Sequence, residues 1–267
     1  YLNRYGVITG EKIVIATNND SVYETAKQLH EAGSKVTIID SRDHINIELP
    51  KGINHHLNTL PFNINGRKKI ESLDVCRSND SSKKNTILCD QVLISGGWSP
   101  IVNLVSHRGI KPIWNEDNLC FVPGEIKENI TVVGSAKGIW NSKQCIDSGL
   151  MGANEALNKL GIQKKEISFP PVGGWVNPIK PLFEVKSKKF PSKSFVDFQH
   201  DVTADDVRLA HREGFISVEH LKRYTTLGMA NDQGKMGNII GLSLMAELLG
   251  KKIPEVGTTV FRPPYTP

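Results

Sequence analysis

The pattern of apolar and polar positions first becomes regular in the opening forty residues. The apolar run 12–16 predicts a short strand buried on both faces. Helical spacing follows, with Ser21 and Glu24 placed as a capping box and Gly33 placed where a helix would end. Residues 35–40 form a second apolar run that ends in an acid. A strand, a helix and a parallel strand within about 30 residues predict a βαβ unit.

The pattern downstream predicts more strands and then one long helix. Residues 53–59, 69–77, 86–89, 91–95 and 130–133 are predicted strands, with a turn at Asn65-Gly66 and a polar loop over 78–85. A helix over 142–160 should pack through its small residues, which are Gly149, Gly152, Ala153 and Ala156. Together with the βαβ unit, these elements predict an α/β, Rossmann-like dinucleotide-binding half-domain over residues 1–165.

The texture changes over residues 166–193, where prolines and paired glycines interrupt every period and predict an extended connector. Residues 194–267 predict a small helical domain with an extended tail. Its helices are expected at 204–213 with Thr203 as cap, at 218–224 after Ser217, and at 237–249.

Composition and charge exclude some classes of binding partner. The 267 residues carry a net charge of +5, and the lysines are scattered, which predicts a solvated surface and no nucleic-acid partner. No run approaches the roughly 20 apolar residues that span a bilayer, so we expect a soluble protein. Four dispersed cysteines predict free thiols and a cytoplasmic location. Because the first residue is Tyr1, either a segment of a longer protein or a processed chain is expected.

Two turns are candidates for a phosphate site. The turn Thr17–Ser21 contains no glycine, and Asp20 places a negative charge where a phosphate would lie, so a scaffold role is favoured there. Asp40 stands where an acid is suited to an adenosine ribose. The turn after the predicted strand 130–133 precedes the long helix and is the favoured contact for a dinucleotide; its residues are Gly134, Ser135, Ala136, Lys137 and Gly138. Tight packing by small residues is the alternative for this turn.

The sequence shows no nucleophile elbow, no paired catalytic histidines and no metal-ligand spacing, so no catalytic residue is predicted. His55, His56 and His211 are expected on surfaces or in local capping roles.

Several long motifs resemble the alpha subunits of heterotetrameric sarcosine oxidase. They are Tyr1–Gly6, Thr17–Tyr23, Ser95–Pro100, Asp205–Gly214, Leu221–Met229, Asp232–Lys235 and Thr258–Pro267. The resemblance covers nearly the whole chain. It implies an internal piece of a longer subunit, preceded by the first Rossmann half and followed by a folate-binding domain.

The resemblance also implies an activity, cofactors and partners. Such a complex oxidises sarcosine to glycine, transfers the one-carbon unit to tetrahydrofolate and releases hydrogen peroxide. It implies FAD in the beta subunit, FMN at the alpha–beta interface, NAD in the alpha subunit, and beta, gamma and delta subunits as partners. In the isolated piece NAD binding is expected to be weak or absent, and no oxidase activity is expected.

The helical module has a second resemblance, to a small [2Fe–2S] domain of the bacterioferritin-associated ferredoxin type. The cluster cysteines of that domain fall on Asp197, Gln199, Asp232 and Gly237, which implies a fold kept without its cluster. A second set of residues combines cations, hydroxyls and glycines and is suited to an anion such as a flavin phosphate. The set is Lys222, Arg223, Thr225, Thr226 and Lys235. For Lys222 and Arg223, stabilisation of a helix C-terminus is the alternative.

Three functions therefore remain open. The first is an oxidoreductase subunit piece that supports NAD binding and a flavin-bearing interface. The second is a non-catalytic assembly module. The third is the alpha-type subunit of a related amine or amino-acid dehydrogenase, which the missing cluster cysteines argue against.

Overall fold

The computed structural model describes residues 1–126, 129–162, 167, 169, 178–186 and 193–257. These residues divide into two compact units. Unit 1 contains residues 1–97 with 178–186, and unit 2 contains the other described residues. The sequence predicts different boundaries, at residues 165 and 193, because prolines and glycines become frequent between them. That division stays a prediction. Most of the predicted connector lies outside the described residues.

Unit 1 is built from two helices and seven strands in its described part. In chain order they are α1 (Leu2–Tyr5), β1 (Lys12–Thr17), α2 (Tyr23–Glu31), β2 (Lys35–Asp40), β3 (Asn54–His56), β4 (Thr59–Asn65), β5 (Ser72–Arg77), β6 (Asp80–Leu88) and β7 (Gln91–Ser95). A 3₁₀ turn, Asp20–Val22, joins β1 to α2.

The predicted βαβ unit is confirmed. Strand β1 pairs in parallel with β2 on one side and with β7 on the other, in the sheet order β3-β2-β1-β7. Five successive residues of β1 are buried, and two of them, Ile13 and Ile15, pack against α2. The predicted capping box is wrong in detail: Asn19, not Ser21, accepts the backbone N–H, and α2 has no side-chain cap. Gly33 follows the helix with φ of 103°, a left-handed backbone that favours glycine.

A second, antiparallel sheet follows in the order β4-β5-β6. The polar segment 80–85 is part of strand β6, so the predicted loop over 78–85 is wrong beyond Asn79. Strand β5 is buried along its length and packs its Leu73 and Val75 against the back of the parallel sheet. Strand β7 was expected to be buried, yet Ile94 is 67% exposed, because β7 lies at the edge of its sheet within the described residues.

Unit 2 contains the remaining elements. They are α3 (Asn103–Ser106), β8 (Ile113–Asn115), β9 (Cys120–Val122), α4 (Ser142–Lys159), β10 (Phe195–Asp197), β11 (Val202–Thr203), α5 (Ala204–Arg212), α6 (Val218–Thr225), α7 (Asn238–Leu249) and α8 (Ile253–Val256). A 3₁₀ turn occupies Gly134–Lys137.

Two predictions for the middle of the chain are corrected by unit 2. Residues 130–133 form no strand, although Val133 is extended with φ of −133°. The long helix α4 begins at Ser142 as predicted, but Ala153 and Ala156 are exposed and only Gly149 and Gly152 are half-buried. A Cβ on Gly152 would lie 2.7 Å from Cγ1 of Val133, so this glycine does serve close packing.

The helical module is confirmed at its three predicted helices. Thr203 caps α5 in a capping box with Asp206, and α6 follows Ser217. Helix α7 is apolar on nearly every side, and its Leu242, Leu244 and Met245 form the centre of the core. The predicted extended tail lies outside the described residues after Gly257.

Candidate functional sites

The carboxyl end of the parallel sheet in unit 1 collects most of the buried polar side chains described there. In open α/β sheets this edge is the usual place for a ligand. Asn18 and Asn19 follow β1 and are 4% and 0% exposed. The Nδ2 group of Asn19 donates to the carbonyl oxygen of Ser95 at 3.3 Å, which ties the end of β1 to the end of β7. The side-chain amides of Asn18 and Asn19 therefore occupy this edge and bond to backbone carbonyls of the protein. A glycine-rich turn would leave the same space open for a ligand.

Arg42 holds two aspartates at this edge. Its Nη1 donates to Asp20 at 2.6 Å, and its Nη2 and Nε donate to Asp40 at 2.7 and 3.0 Å. Burial alone would lower the pKa of Arg42, but the hydrogen bonds to Asp40 and Asp20 raise the pKa above its ordinary value. Asp20, whose charge argued against a phosphate, is thus paired inside the protein with an arginine that it shares with Asp40.

Asp40 is fully buried, and both of its oxygens are engaged. Oδ2 also accepts a hydrogen bond of 2.7 Å from the Tyr23 hydroxyl. The same hydroxyl lies 3.0 Å from Nε2 of His55, whose ring stands edge-on to Tyr23 at 5.6 Å. Burial and the neighbouring carboxylate raise the pKa of Tyr23, and burial lowers the pKa of His55. The Asp40 carboxylate, which the sequence indicates as a candidate for binding an adenosine ribose, is therefore buried and already bonded to protein groups.

The described residues 178–180 lie against the same edge. The backbone N–H of Lys180 donates to the Asn18 carbonyl at 3.0 Å, and Nδ2 of Asn18 donates back to the Lys180 carbonyl at 2.8 Å. Arg42 Nη1 also donates to the Pro178 carbonyl at 2.9 Å. No sequence signal we used identified this segment or Arg42. In the sequence, the Asp40–Arg42 pair is marked only by an arginine that stands two residues after the aspartate at the end of a predicted strand.

In unit 2, the candidate turn Gly134–Gly138 is a short 3₁₀ helix that ends at Gly138 in a left-handed conformation with φ of 86°. The Gly134 N–H donates to Oγ of Ser148 at 3.3 Å, and the Gly138 carbonyl accepts from Asn118 at 3.0 Å. Ser135 and Lys137 are exposed, whereas Ala136 is half-buried. The two glycines thus fix the turn by packing, and the residues between them are the ones available to a ligand.

At three of the four positions implied for cluster cysteines, which are Asp197, Gln199 and Asp232, the side chain accepts hydrogen bonds from neighbouring backbone N–H groups. Both oxygens of Asp197 accept backbone N–H groups, from Gln199 at 2.9 Å and from Gly228 at 3.1 Å. Oε1 of Gln199 accepts from Asn231 N–H at 2.9 Å. A Cβ at Gly237 would lie 2.7 Å from the Val196 carbonyl oxygen, so a side chain does not fit there without a shift.

The five predicted anion-binding residues occupy the end of α6 and the loop that precedes α7. The Thr225 hydroxyl donates to the Leu221 carbonyl at 2.8 Å and accepts from Leu227 N–H at 3.2 Å, which makes it part of the helix end. Thr226 ends α6 with φ of 63°, and its hydroxyl donates to the Thr225 carbonyl. Arg223 is exposed, while Lys222 and Lys235 are half-buried. Burial lowers the pKa of Lys235, and Asp232 partly opposes that effect.

Across the residues that the structure describes, no group of three or more His, Cys, Asp or Glu side chains could hold a metal ion. No described helix is both long and apolar enough to cross a membrane.

Comparison with known proteins points to one family. Residues 191–267 match the model of the sarcosine oxidase A3 domain. The whole chain is 36% identical to the sarcosine oxidase alpha subunit of Rhizobium meliloti (strain 1021) and 32% identical to that of Corynebacterium sp. (strain U-96). The chain is similar to sarcosine oxidase alpha subunits over its whole length. It spans 27% and 29% of the length of these two relatives, so it corresponds to a part of them.

A solved structure shares the fold. L-Proline dehydrogenase from P. horikoshii superposes on the entire chain with a TM-score of 0.68 at 19% identity, and the match covers 50% of that protein. The predicted mixed α/β class with a parallel sheet is confirmed.

Proposed function

We propose that this chain is part of the alpha subunit of a sarcosine-oxidising complex, in which it supports cofactor binding and subunit contact. The single observation that carries the proposal is the identity of 30% or more to three alpha subunits over the full length of the chain. The A3 domain match over 191–267 adds a second, independent line of support. The chemistry itself would reside in another subunit.

The reaction proposed for the whole complex is the oxidation of the N-methyl group of sarcosine. Two electrons leave the C–N unit and reduce oxygen to hydrogen peroxide, and glycine is released. The one-carbon unit passes to tetrahydrofolate, which a domain outside this chain would bind. FAD in the beta subunit would accept the electrons, and the gamma and delta subunits would complete the assembly.

For NAD, the residues of the turn Gly134–Gly138 offer a partial fit. Ser135 and Lys137 are exposed and supply a hydroxyl and a cation, both of which suit a phosphate or a ribose. The fit is partial because Gly134 N–H and the Gly138 carbonyl already have protein partners. We therefore expect NAD to be held weakly by this chain alone.

For FMN at the subunit interface, Lys235 is the strongest candidate of the five. Lys235 is half-buried and follows Gly234, and its ammonium group would bind a phosphate through a charged hydrogen bond, which is stronger in partly dry surroundings than in water. The hydroxyl of Thr225 is committed to the end of α6, so the capping alternative is favoured for that residue. We propose that Arg223 and Lys235 contribute the cations.

We also propose that the helical module descends from a cluster-binding fold that no longer binds iron and sulfur. Asp197 and Gln199 use their side-chain oxygens to hold backbone N–H groups, and these bonds would take over the stabilising role of metal–thiolate bonds. This observation also gives some support to the assembly-module alternative, since it assigns the module a packing role.

The test uses the full-length gene product co-purified with its natural partners, with this chain alone for comparison. We expect the complex to produce hydrogen peroxide from sarcosine and the isolated chain to produce none above a buffer control. Peroxide production by the isolated chain would contradict the proposal. A complex that oxidises another amine but not sarcosine would favour the related-dehydrogenase alternative. Absorbance and mass spectrometry of the same samples would show which nucleotides each one retains.

A further inference from the structure

Residues 178–180 form a short segment outside the helices and strands, here called the strap, that belongs to unit 1 although it follows β7 by more than eighty residues. Its last residue forms a reciprocal pair with the first residue after β1. Lys180 N–H donates to the Asn18 carbonyl at 3.0 Å, and Asn18 Nδ2 donates to the Lys180 carbonyl at 2.8 Å. The amide side chain of Asn18 thus makes the hydrogen bond that a backbone N–H would make in a strand pair. Together with the Asn18 carbonyl, it attaches the strap to the end of the sheet.

Two further contacts come from the loop after β2. Nη1 of Arg42 donates to the Pro178 carbonyl at 2.9 Å, and Nζ of Lys180 donates to the Ser41 carbonyl at 2.9 Å. Between these anchors, Ile179 lies so close to Gly97 that a Cβ there would be 2.5 Å from the isoleucine Cδ1. The strap is therefore held by polar groups at both ends and by close apolar packing in the middle.

The strap lies where a dinucleotide would bind to a sheet of this type. A dinucleotide bound to a parallel α/β sheet lies across the carboxyl ends of adjacent strands, with its pyrophosphate on the turn after the first strand. In unit 1 the corresponding loops follow β1 and β2, and these are the loops that Pro178 and Lys180 contact. Asp20, Asp40 and Arg42 together carry one net negative charge, which disfavours an anion at the same place.

We propose that the carboxyl edge of this sheet is a docking groove for the chain's own residues 178–180, and that strap docking and dinucleotide binding exclude each other there. The groove binds backbone groups of the strap through Asn18 and Arg42, and Gly97, which has no side chain, leaves room for the side chain of Ile179. The inference rests on unit 1 alone and is independent of the sarcosine oxidase proposal.

The first measurement is amide hydrogen exchange of the whole chain by mass spectrometry, with and without Asn18→Ala. We expect the Lys180 amide, which donates to the Asn18 carbonyl, to be protected in the parent chain and to exchange at least about tenfold faster in the variant, because the substitution removes the bond from Asn18 Nδ2 to the Lys180 carbonyl. Asn63→Ala is the matched control, since Asn63 donates to Asn65 within unit 1 and has no contact with the strap among those described. An unprotected strap in the parent chain would overturn the proposal.

Because Asn18→Ala removes a buried amide, a second variant keeps the test decisive if the first one unfolds. Ile179→Gly with Lys180→Gly leaves the sheet residues unchanged and removes the side chains of the strap. We expect faster exchange in the strap and in residues 18–21, with β1 and β2 still protected. Unchanged exchange in residues 18–21 would show that the strap does not cover the groove.

The second measurement adds millimolar NAD to the parent chain and repeats the exchange experiment. Unchanged exchange in both residues 17–21 and residues 178–186 supports occlusion by the strap. Protection of 17–21 together with faster exchange of the strap supports mutual exclusion. Protection of 17–21 while the strap stays protected would overturn the inference.

Discussion

The Tyr23 hydroxyl donates to Oδ2 of Asp40 at 2.7 Å, and Asp40 lies in the last position of β2 while Tyr23 is the first residue of α2. The bond therefore joins the start of the crossover helix to the end of the strand that the helix precedes. Because Arg42 donates to the same carboxylate, a fully buried charge is surrounded by donors from α2 and from the loop after β2. Substitutions in this buried network around Asp40 are therefore expected to lower the stability of unit 1 strongly.

Replacement of Arg42 by alanine is expected to lower the free energy of unfolding by about 3–5 kcal/mol, because it leaves the buried carboxylate of Asp40 without its countercharge. Urea denaturation checks the value. Arg208→Ala is the control, since the Arg208–Asp205 pair joins side chains that are 36% and 81% exposed and is expected to contribute at most about 1 kcal/mol. Equal losses in the two variants would contradict the prediction.

His55 should make the stability of unit 1 depend on pH. Burial lowers the pKa of His55, and the Asp40 carboxylate opposes this only in part. Between the lowered folded pKa and the unfolded value of about 6.5, the unfolded chain binds more protons, so stability is lost as the pH falls through this window. We expect the loss between pH 7.5 and 5 to be smaller in His55→Gln. His44→Gln, at an exposed position, should leave the loss unchanged.

The capping box of α5 offers a matched pair of substitutions. Thr203→Ala removes a hydroxyl that caps the Asp206 N–H and contacts its carboxylate, and it should cost about 1 kcal/mol. Ser217→Ala is the control, because Ser217 stands at the start of α6 without a side-chain capping bond. Thermal unfolding followed by circular dichroism measures both. A loss in Ser217→Ala as large as in Thr203→Ala would refute the assignment.

Two glycines should respond to alanine in opposite directions. Gly237→Ala places a Cβ 2.7 Å from the Val196 carbonyl oxygen and should destabilise the helical module. Gly149→Ala places a Cβ in open space inside α4 and should stabilise that helix by about 1 kcal/mol. The midpoint of chemical denaturation of each variant gives the sign. A gain in stability from Gly237→Ala would show that the Val196 backbone yields readily.

Arg223→Ala and Lys235→Ala in the full-length complex test the proposed anion site. We expect both substitutions to reduce the FMN content and subunit association, with the larger effect at Lys235, because this residue is half-buried whereas Arg223 is exposed. Flavin absorbance and size-exclusion chromatography provide the measurements. Lys137→Ala, in the other candidate turn, is the control for a general loss of positive charge. Unchanged FMN content and assembly in both variants would leave only the helix-end role.

The local sequence was sufficient wherever structure depends on near neighbours. The βαβ unit follows from apolar runs that bury both faces of a strand, and α5 begins where Thr203 can cap it. The same reasoning misplaced the cap of α2, because Asn19 also bonds to Ser95, a partner 76 residues away that no local pattern reveals. Residues 80–85 of strand β6 were missed for a similar reason: these polar residues are held by pairing with β5.

The candidate site at the sheet edge was predicted only in part. The absence of glycine from the Thr17–Ser21 turn favoured a scaffold role there, which stays a prediction, and the residues that define the edge were not found. Arg42 lies beyond the end of β2, and Lys180 lies 162 residues after its partner Asn18. Their importance arises from tertiary proximity, so a sequence period has no means of showing it.

The two sheets of unit 1 end in strands of unlike character. Strand β6 presents exposed Lys83 and Lys84, and such charges discourage another strand from pairing with it. Strand β7 presents Ile94 with 67% exposure and, in the described part of the chain, pairs only with β1. When the chain is handled alone at high concentration, self-association should therefore start at β7, and a lysine in place of Ile94 should improve its solubility.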